Sequence, residues 1–250
     1  MVNVNDVYQT VLLILNKEQR GYLTPEEFNR IGSQVQLEIY NKTFEDYNQL
    51  IRQPQPDTGT ADRVQDLEVK LAPFRSSSVG ISPSQPTDSK YGIVNLPSNL
   101  YRLDRIVANF NKPNETEMQP VTFSELFNLN SSLLTTPTED FPIFAFESNS
   151  GNPTNFTKIA VLPKSLAAAA ANFKIFYFVN PPNIVWDFTI GGDGEYLHSS
   201  TTSTQFTLVN SEFTAVVLKV LLYAGVVIRD PQIVQTAASK VQKEEIQEKS

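Results

Sequence analysis

The chain of 250 residues has no cysteine, one histidine, two methionines and one tryptophan. Without cysteine there are no disulfides, thiolate zinc sites, iron–sulfur ligation or cysteine nucleophile. A single imidazole, that of His198, cannot build a multi-histidine metal centre. Charge is also scarce: 19% of residues are charged, with 20 basic against 27 acidic side chains and a formal net charge of −7. The longest apolar run, Phe213 to Ile228, has 16 residues and carries Lys219 near its centre, where a charge is costly in hydrocarbon. It reads as a buried helix, and no membrane span is expected. No basic segment ahead of an apolar run stands at the start, so no secretory signal is expected either, and a cysteine-free chain of this kind points to a reducing compartment, although absence of cysteine also suits a protein that must survive outside the cell. The abundant feature is the side-chain amide, with 20 Asn and 15 Gln. This polar but weakly charged composition reads as a surface for neutral protein contacts.

The hydrophobic period divides the chain. Val7, Val11, Leu12, Ile14 and Leu15 recur at helical spacing after a cap at Asn5 or Asp6. Thr24-Pro25-Glu26-Glu27 combines a hydroxyl cap, proline at the first helical position and glutamate three residues after the cap, which predicts a capping box and a helix from Pro25 to about Gln49. A further helix is expected from Ala61 to Leu71. Residues 73–90, rich in serine and proline, read as a linker or arm that orders on a neighbour, with Ser78, Ile81, Pro83 and Pro86 as its candidate ordering residues. From there the period shortens. Ile93 to Leu96, Leu100 to Phe110, Phe141 to Glu147, Thr157 to Leu162, Phe173 to Val179 and Ile184 to Ile190 make about six predicted strands. Thr122 is placed to cap a short helix, and Gly191-Gly192-Asp193-Gly194 reads as a tight turn between strands. Ser211 opens the apolar helix to Ile228, and Asp230-Pro231 starts a last helix after it.

The expected fold class is therefore α+β, an N-terminal helical bundle and a C-terminal helix pair enclosing a β-rich middle. The expected regions are 1–72 helical, 73–90 arm, 91–210 β-rich and 211–250 C-terminal helices that pack with the N-terminal ones. Residues 113–210 hold nine acidic side chains and only three lysines, Lys158, Lys164 and Lys174, which marks the β-rich part as the acidic part. Such a balance neutralises few phosphates, so tight nucleic-acid binding is not expected.

Chemistry-bearing motifs are few. Asn16 to Glu27 looks like an EF-hand loop, with Gly21 sixth, an apolar residue eighth and Glu27 twelfth. Asn16 stands where an aspartate usually begins the loop, and Arg20 puts a cation at a ligand position, so a metal-free helical corner is the better reading. His198 is followed by Ser199 and Ser200, but neighbours on a strand point to opposite faces, and no G-x-S-x-G elbow is present. Phe173, Phe176, Tyr177, Phe178, Trp186 and Phe188 read as β core ahead of a stacking platform. No catalytic residue, metal ligand or cofactor site is assigned. The candidate oligomer interface is the apolar face of the C-terminal helices, Phe213, Val217, Val220, Tyr223, Val234, Ala237 and Val241.

Asp6-Val7-Tyr8 through Leu23-Thr24-Pro25-Glu26-Glu27-Phe28-Asn29, Leu96-Pro97-Ser98-Asn99-Leu100-Tyr101-Arg102-Leu103, and Tyr223-Ala224-Gly225-Val226 through Asp230-Pro231 to Glu248-Lys249-Ser250 carry a resemblance. Together they resemble the head-tail connector or ring proteins of tailed phages, in particular those of crAss-like podophages. The resemblance covers about a third of the chain and leaves 111–209 outside it. It implies a non-enzymatic virion protein at the head-tail junction, assembled in the host cytoplasm. The implied assembly is a homo-oligomeric ring, twelvefold, docked to the portal and to other ring or tail proteins around a channel through which DNA passes without specific binding. An acidic, amide-rich lumen in 113–210 would repel that DNA. A capsid-associated or tail-fibre-docking protein is the structural alternative, and a carbohydrate-binding or depolymerase module is the alternative from another class.

Overall fold

A computed structural model describes residues 1–17, 22–52, 58–79, 90–109, 113, 115–147, 158–168, 173–192, 194–228, 235 and 238–243. The chain is α+β and divides into two units, Met1–Phe74 with Pro181–Ser250, and Arg75–Asn180.

The first unit is built on α1 (Val4–Lys17), α2 (Pro25–Arg52), α3 (Thr58–Leu71) and α5 (Phe213–Ile228), with α5 packed on α1 and α2, and α3 on α2. The expected capping box starts α2. The Thr24 N–H and hydroxyl donate to Glu27 Oε2 at 3.0 and 2.7 Å, and the Glu27 N–H donates back to Thr24 Oγ1 at 3.3 Å. Phe28, Val35, Ile39 and Tyr40 then fall on the buried side of α2. The segment after Pro181 crosses α2 close to Gly32, where an added Cβ would lie 3.4 Å from Phe206 Cζ and 3.7 Å from Ile184 Cγ2. Tyr8 sits between Phe28 and Trp186, with ring centroids 4.9 and 4.4 Å away. All three rings are buried, each worth roughly 1.5–3 kcal/mol of transfer free energy. A short hairpin, β9 (Phe188–Ile190) with β10 (Tyr196–His198), lies within this segment, and between its strands the Gly194 N–H donates to the Gly191 carbonyl, in keeping with the expected turn. Gly194 takes φ +82°, which suits glycine.

The second unit is a sandwich of two four-stranded sheets. One has the order β1 (Arg75–Val79), β8 (Phe173–Val179), β3 (Leu100–Ala108), β4 (Thr116–Glu117), all antiparallel. The other has the order β2 (Gly92–Asn95), β7 (Lys158–Leu162), β6 (Ile143–Glu147), β5 (Gln119–Pro120). β5 and β6 are parallel, and α4 (Phe123–Ser131) makes the crossover that parallel strands require. Alternation assigns the faces. Ile159, Val161, Phe144 and Val94 meet Ile106, Phe173, Ile175 and Tyr177 between the sheets. Ala160, Leu162, Ile143 and Ala145 turn the other way and are covered by Leu126 of α4. β7 is thus apolar on both faces because both faces are buried.

Several expectations need correction. The chain divides after Phe74 and after Asn180, not at 72, 90 and 210, because 181–210 packs with the helices. The arm is not free throughout: Ser78 belongs to β1 and pairs with Ile175 of β8, since the edge of that sheet offers unfilled backbone partners. Ile81, Pro83 and Pro86 lie outside the described residues. Among the described residues ten strands stand where about six were expected, the additional ones being short or serine-rich. Most of Ile184 to Ile190 is not strand, for a reason developed below. Finally, the acidic stretch 113–210 is no single body. The sandwich unit has 8 acidic and 8 basic side chains, while the helical unit has 19 acidic and 12 basic and so carries the whole net charge of −7.

Candidate assembly surfaces

The predicted interface helix is spent largely inside the subunit. Val217 and Val220 of α5 are buried against the other helices, and Phe213 is half-buried. They are corrected from an external to an internal role, because a 16-residue apolar helix packed on two others has little face left over. Half-buried Tyr223 donates its hydroxyl to Glu38 Oε2 of α2 at 3.1 Å, and the same carboxylate takes Lys219 Nζ on Oε1 at 2.9 Å. Lys219, only 7% exposed, is thus paired across to α2 from the middle of the apolar run. Burial, then the Glu38 hydrogen bond and charge, raises the Tyr223 hydroxyl above its ordinary value. A second pair, Lys70 to Glu212 at 2.8 Å, ties α3 to the start of α5. Val241 lines a shallow groove between these helices with Ile39, Leu67 and Ala215. Val234 and Ala237 lie outside the described residues.

Neither chemistry-bearing motif makes a site. Glu27, twelfth in the EF-hand-like stretch, is engaged by Thr24, and these hydrogen bonds hold its carboxyl below the usual glutamate range. Residues 18–21 of that stretch are outside the described set. Among the described residues no three His, Asp or Glu converge on a common point. His198 Nε2 lies 3.1 Å from Ser203 Oγ, a pairing that the sequence neighbours Ser199 and Ser200 did not suggest. That hydroxyl already donates to the Ser199 carbonyl at 2.7 Å and accepts from the Asp187 N–H at 3.0 Å, so the imidazole is the donor and not a base toward serine. The ring stacks on Trp186 at 5.7 Å and 24°. His198 is a packed, hydrogen-bonded brace of the turn.

Surface features missed by sequence lie in the sandwich unit. After α4 the chain forms a loop that carries Leu133 and Leu134, 100% and 97% exposed, with Phe141 at 75%. This loop is tied: Thr135 N–H and Thr136 Oγ1 both donate to the Ser132 carbonyl, Thr135 Oγ1 donates to the Leu129 carbonyl, and Phe141 N–H donates to the Thr138 carbonyl. Two adjacent leucines are thus held outward by a hydrogen-bonded turn. The sequence signal, Leu-Leu between Ser-Ser and Thr-Thr-Pro-Thr, is visible only once the flanking helix is known to end at Ser131.

The second feature is the face of the β1-β8-β3-β4 sheet turned away from the sandwich core. Lys174, Phe176 and Phe178 alternate with the core residues of β8, and Arg75, Arg102 and Arg105 stand beside them in register on β1 and β3. Arg75 lies over the Phe178 ring at 5.6 Å, Arg105 and Lys174 over the Phe176 ring at 4.8 and 4.9 Å, and Arg102 over Tyr101 at 5.6 Å. Half of the unit's eight basic side chains share this one face. The aromatic residues expected to be one β core are therefore divided. Phe173 and Tyr177 lie between the sheets, Phe178 is buried on the opposite face, Phe176 is half-buried there beneath cations, and Trp186 and Phe188 belong to the helical unit.

Comparison with known protein families and with curated proteins finds no match. Among the described residues no helix is long and apolar enough to cross a membrane.

Proposed function

We propose that the chain is a non-enzymatic structural subunit of a tailed-phage virion, forming a homo-oligomeric ring in the connector between portal and tail through which DNA passes. The observation that supports it most is the pair of fully exposed leucines, Leu133 and Leu134, fixed outward on a hydrogen-bonded loop. Apolar side chains so placed contribute nothing to the isolated subunit and gain only when another protein covers them. The resemblance of the two ends and of Leu96–Leu103 to connector proteins supplies the class of partner. Twelvefold symmetry and the portal contact rest on that resemblance alone.

Native mass spectrometry of the purified chain, alone and with portal, tests the reading. The expected result is one ring stoichiometry, lost in Leu133→Ser/Leu134→Ser while the melting temperature stays unchanged. A strict monomer that never binds portal would overturn it.

A further inference from the structure

Two apolar features of this chain have opposite shapes. Leu133 and Leu134 stand clear of the sandwich unit, and no other large apolar side chain among the described residues is more than 75% exposed. In the helical unit α2, α3 and α5 flank a groove whose apolar lining is Ile39, Leu67, Ala215 and Val241. Charged groups beside that lining are engaged within the subunit, Lys70 with Glu212 at 2.8 Å and Lys219 with Glu38 at 2.9 Å.

We propose that the groove of one subunit receives the Leu133–Leu134 loop of a second copy of the chain. The inference rests on the ring reading above and names the surface that covers the leucines. Three physical points carry it. First, charge selects an uncharged, apolar contact. Residues 113–157 hold six acidic side chains and no lysine or arginine, so nucleic acid and anionic bilayers are repelled from the loop. In the groove Lys70 and Lys219 already have carboxylates, which leaves the apolar lining as the surface that gains from an insert. Second, the loop is ready to insert. Its hydrogen-bonded turn holds the leucines outward before any partner arrives, so little ordering is required on contact, and a projecting pair of side chains suits a concave site. Third, the contact is small and heterologous. Two leucines and the groove they enter bury well under the ~1,200 Å² at which stable pairs begin. One such contact leaves a free loop on one subunit and a free groove on the other, so it propagates and closes into a ring when its rotation permits. Each subunit then makes the contact twice.

The test uses the full chain and exploits its lack of cysteine. Leu134→Cys on the loop and Ala215→Cys in the groove are combined in one chain, oxidised and read by non-reducing electrophoresis. The docked geometry brings the two positions within disulfide reach, about 4–7 Å between Cα atoms. The double variant should give a ladder of linked oligomers that ends at the ring, and a mixture of the two single variants should give linked dimers only. Leu134→Cys with Leu13→Cys, on the exposed side of α1, should give no ladder. Ala215→Trp, which fills the groove and leaves the loop untouched, should raise the half-assembly concentration in sedimentation velocity at least about a hundredfold; the cysteine pair decides even where this variant folds poorly. Raising salt from about 50 to about 500 mM should not weaken wild-type assembly. Rings that form while the cysteine pair stays unlinked, or links only within one chain, would overturn this docking and leave the ring reading intact. Ala215→Cys shielded from alkylation only when portal is added would make portal the occupant and overturn the docking too. A double variant that stops at a linked dimer would uphold the docking and overturn the ring reading. A wild-type chain that stays monomeric with and without portal would overturn both.

Discussion

At the scale of single residues, the side-chain amides explain more of this protein than its charges do. Buried Gln36 on α2 donates from Nε2 to the Pro182 carbonyl at 2.8 Å and accepts the Thr207 N–H on Oε1 at 2.8 Å. One turn and two turns before it, Ser33 Oγ accepts the Ile184 N–H at 2.9 Å, and Asn29 accepts the Trp186 N–H at 2.7 Å and donates to the Trp186 carbonyl at 3.4 Å. Asn5 accepts the indole N–H of Trp186 at 3.0 Å, and Gln205 accepts the Val4 N–H at 2.8 Å. Asn29, Gln36 and Gln205 thus stand in for backbone partners, and Asn5 holds the indole, where an outer-surface role was expected of the amides. Replacing Gln36 with Leu leaves two buried backbone groups unsatisfied, each worth about 1–3 kcal/mol. Urea unfolding should show a loss of about 2–5 kcal/mol with little change in slope; a loss under about 1 kcal/mol would refute the role. Two tyrosines add a pH dependence. Burial, with a smaller contribution from the neighbouring Tyr22, raises Tyr8, whose hydroxyl donates to the Leu23 carbonyl at 3.1 Å, and burial with Glu38 raises Tyr223. Both folded values lie above the unfolded value of about 10. Their stabilisation is complete below that pH and lost as pH rises through the raised values. Melting temperatures should therefore fall above about pH 10, and Tyr8→Phe/Tyr223→Phe should flatten that decline.

Among the elements, those with local start signals were legible. α2 and α4 begin at Thr-x-x-Glu boxes, and in α4 the Thr122 N–H and hydroxyl donate to Glu125 at 2.9 and 2.8 Å. Such caps are written within four residues. Thr24→Ala should cost about 1 kcal/mol, and Glu27→Ala added to it should cost little more, because the two residues act as one unit. The lowered carboxyl of Glu27 means that this support is present above the ordinary glutamate value and disappears as pH falls through the lowered one. Chemical denaturation of the single and double variants at neutral and acid pH checks both statements. The strand expected at Ile184 to Ile190 failed for a non-local reason. Ile184 and Trp186 are β-type residues and do run beside a partner, but that partner is the polar stripe Asn29, Ser33 and Gln36 of a helix about 150 residues away in sequence. Only the Val185–Thr204 bridge and the 188–190 hairpin remain as β pairing. β1 was missed because Arg75-Ser-Ser-Ser has no β pattern of its own and becomes a strand by adding to the edge of β8.

For the whole molecule, the decisive fact is that the sandwich is an insertion. Arg75 pairs with Phe178, so the chain enters and leaves this unit on neighbouring antiparallel strands, and its two ends are close. Each unit has buried apolar residues of its own. Residues 75–180 expressed alone should fold cooperatively, and a chain joining 74 to 181 through a short glycine linker should retain the helical unit, with the packed environment of Trp186 as its fluorescence marker. If both fragments melt without cooperativity, the units are not independent. The sequence by itself determined the helix starts, the α+β composition, the strands with alternating or fully apolar patterns and the exclusion of thiol chemistry, because each of these is set by near neighbours or by composition. Only the tertiary structure decided that Val217 and Val220 are internal, that the acidic charge belongs to the helical unit, that His198 is a brace, and that Leu133 and Leu134 point into solvent. Those properties depend on which distant segments meet, and the energies that bring the segments together belong to no single stretch of sequence.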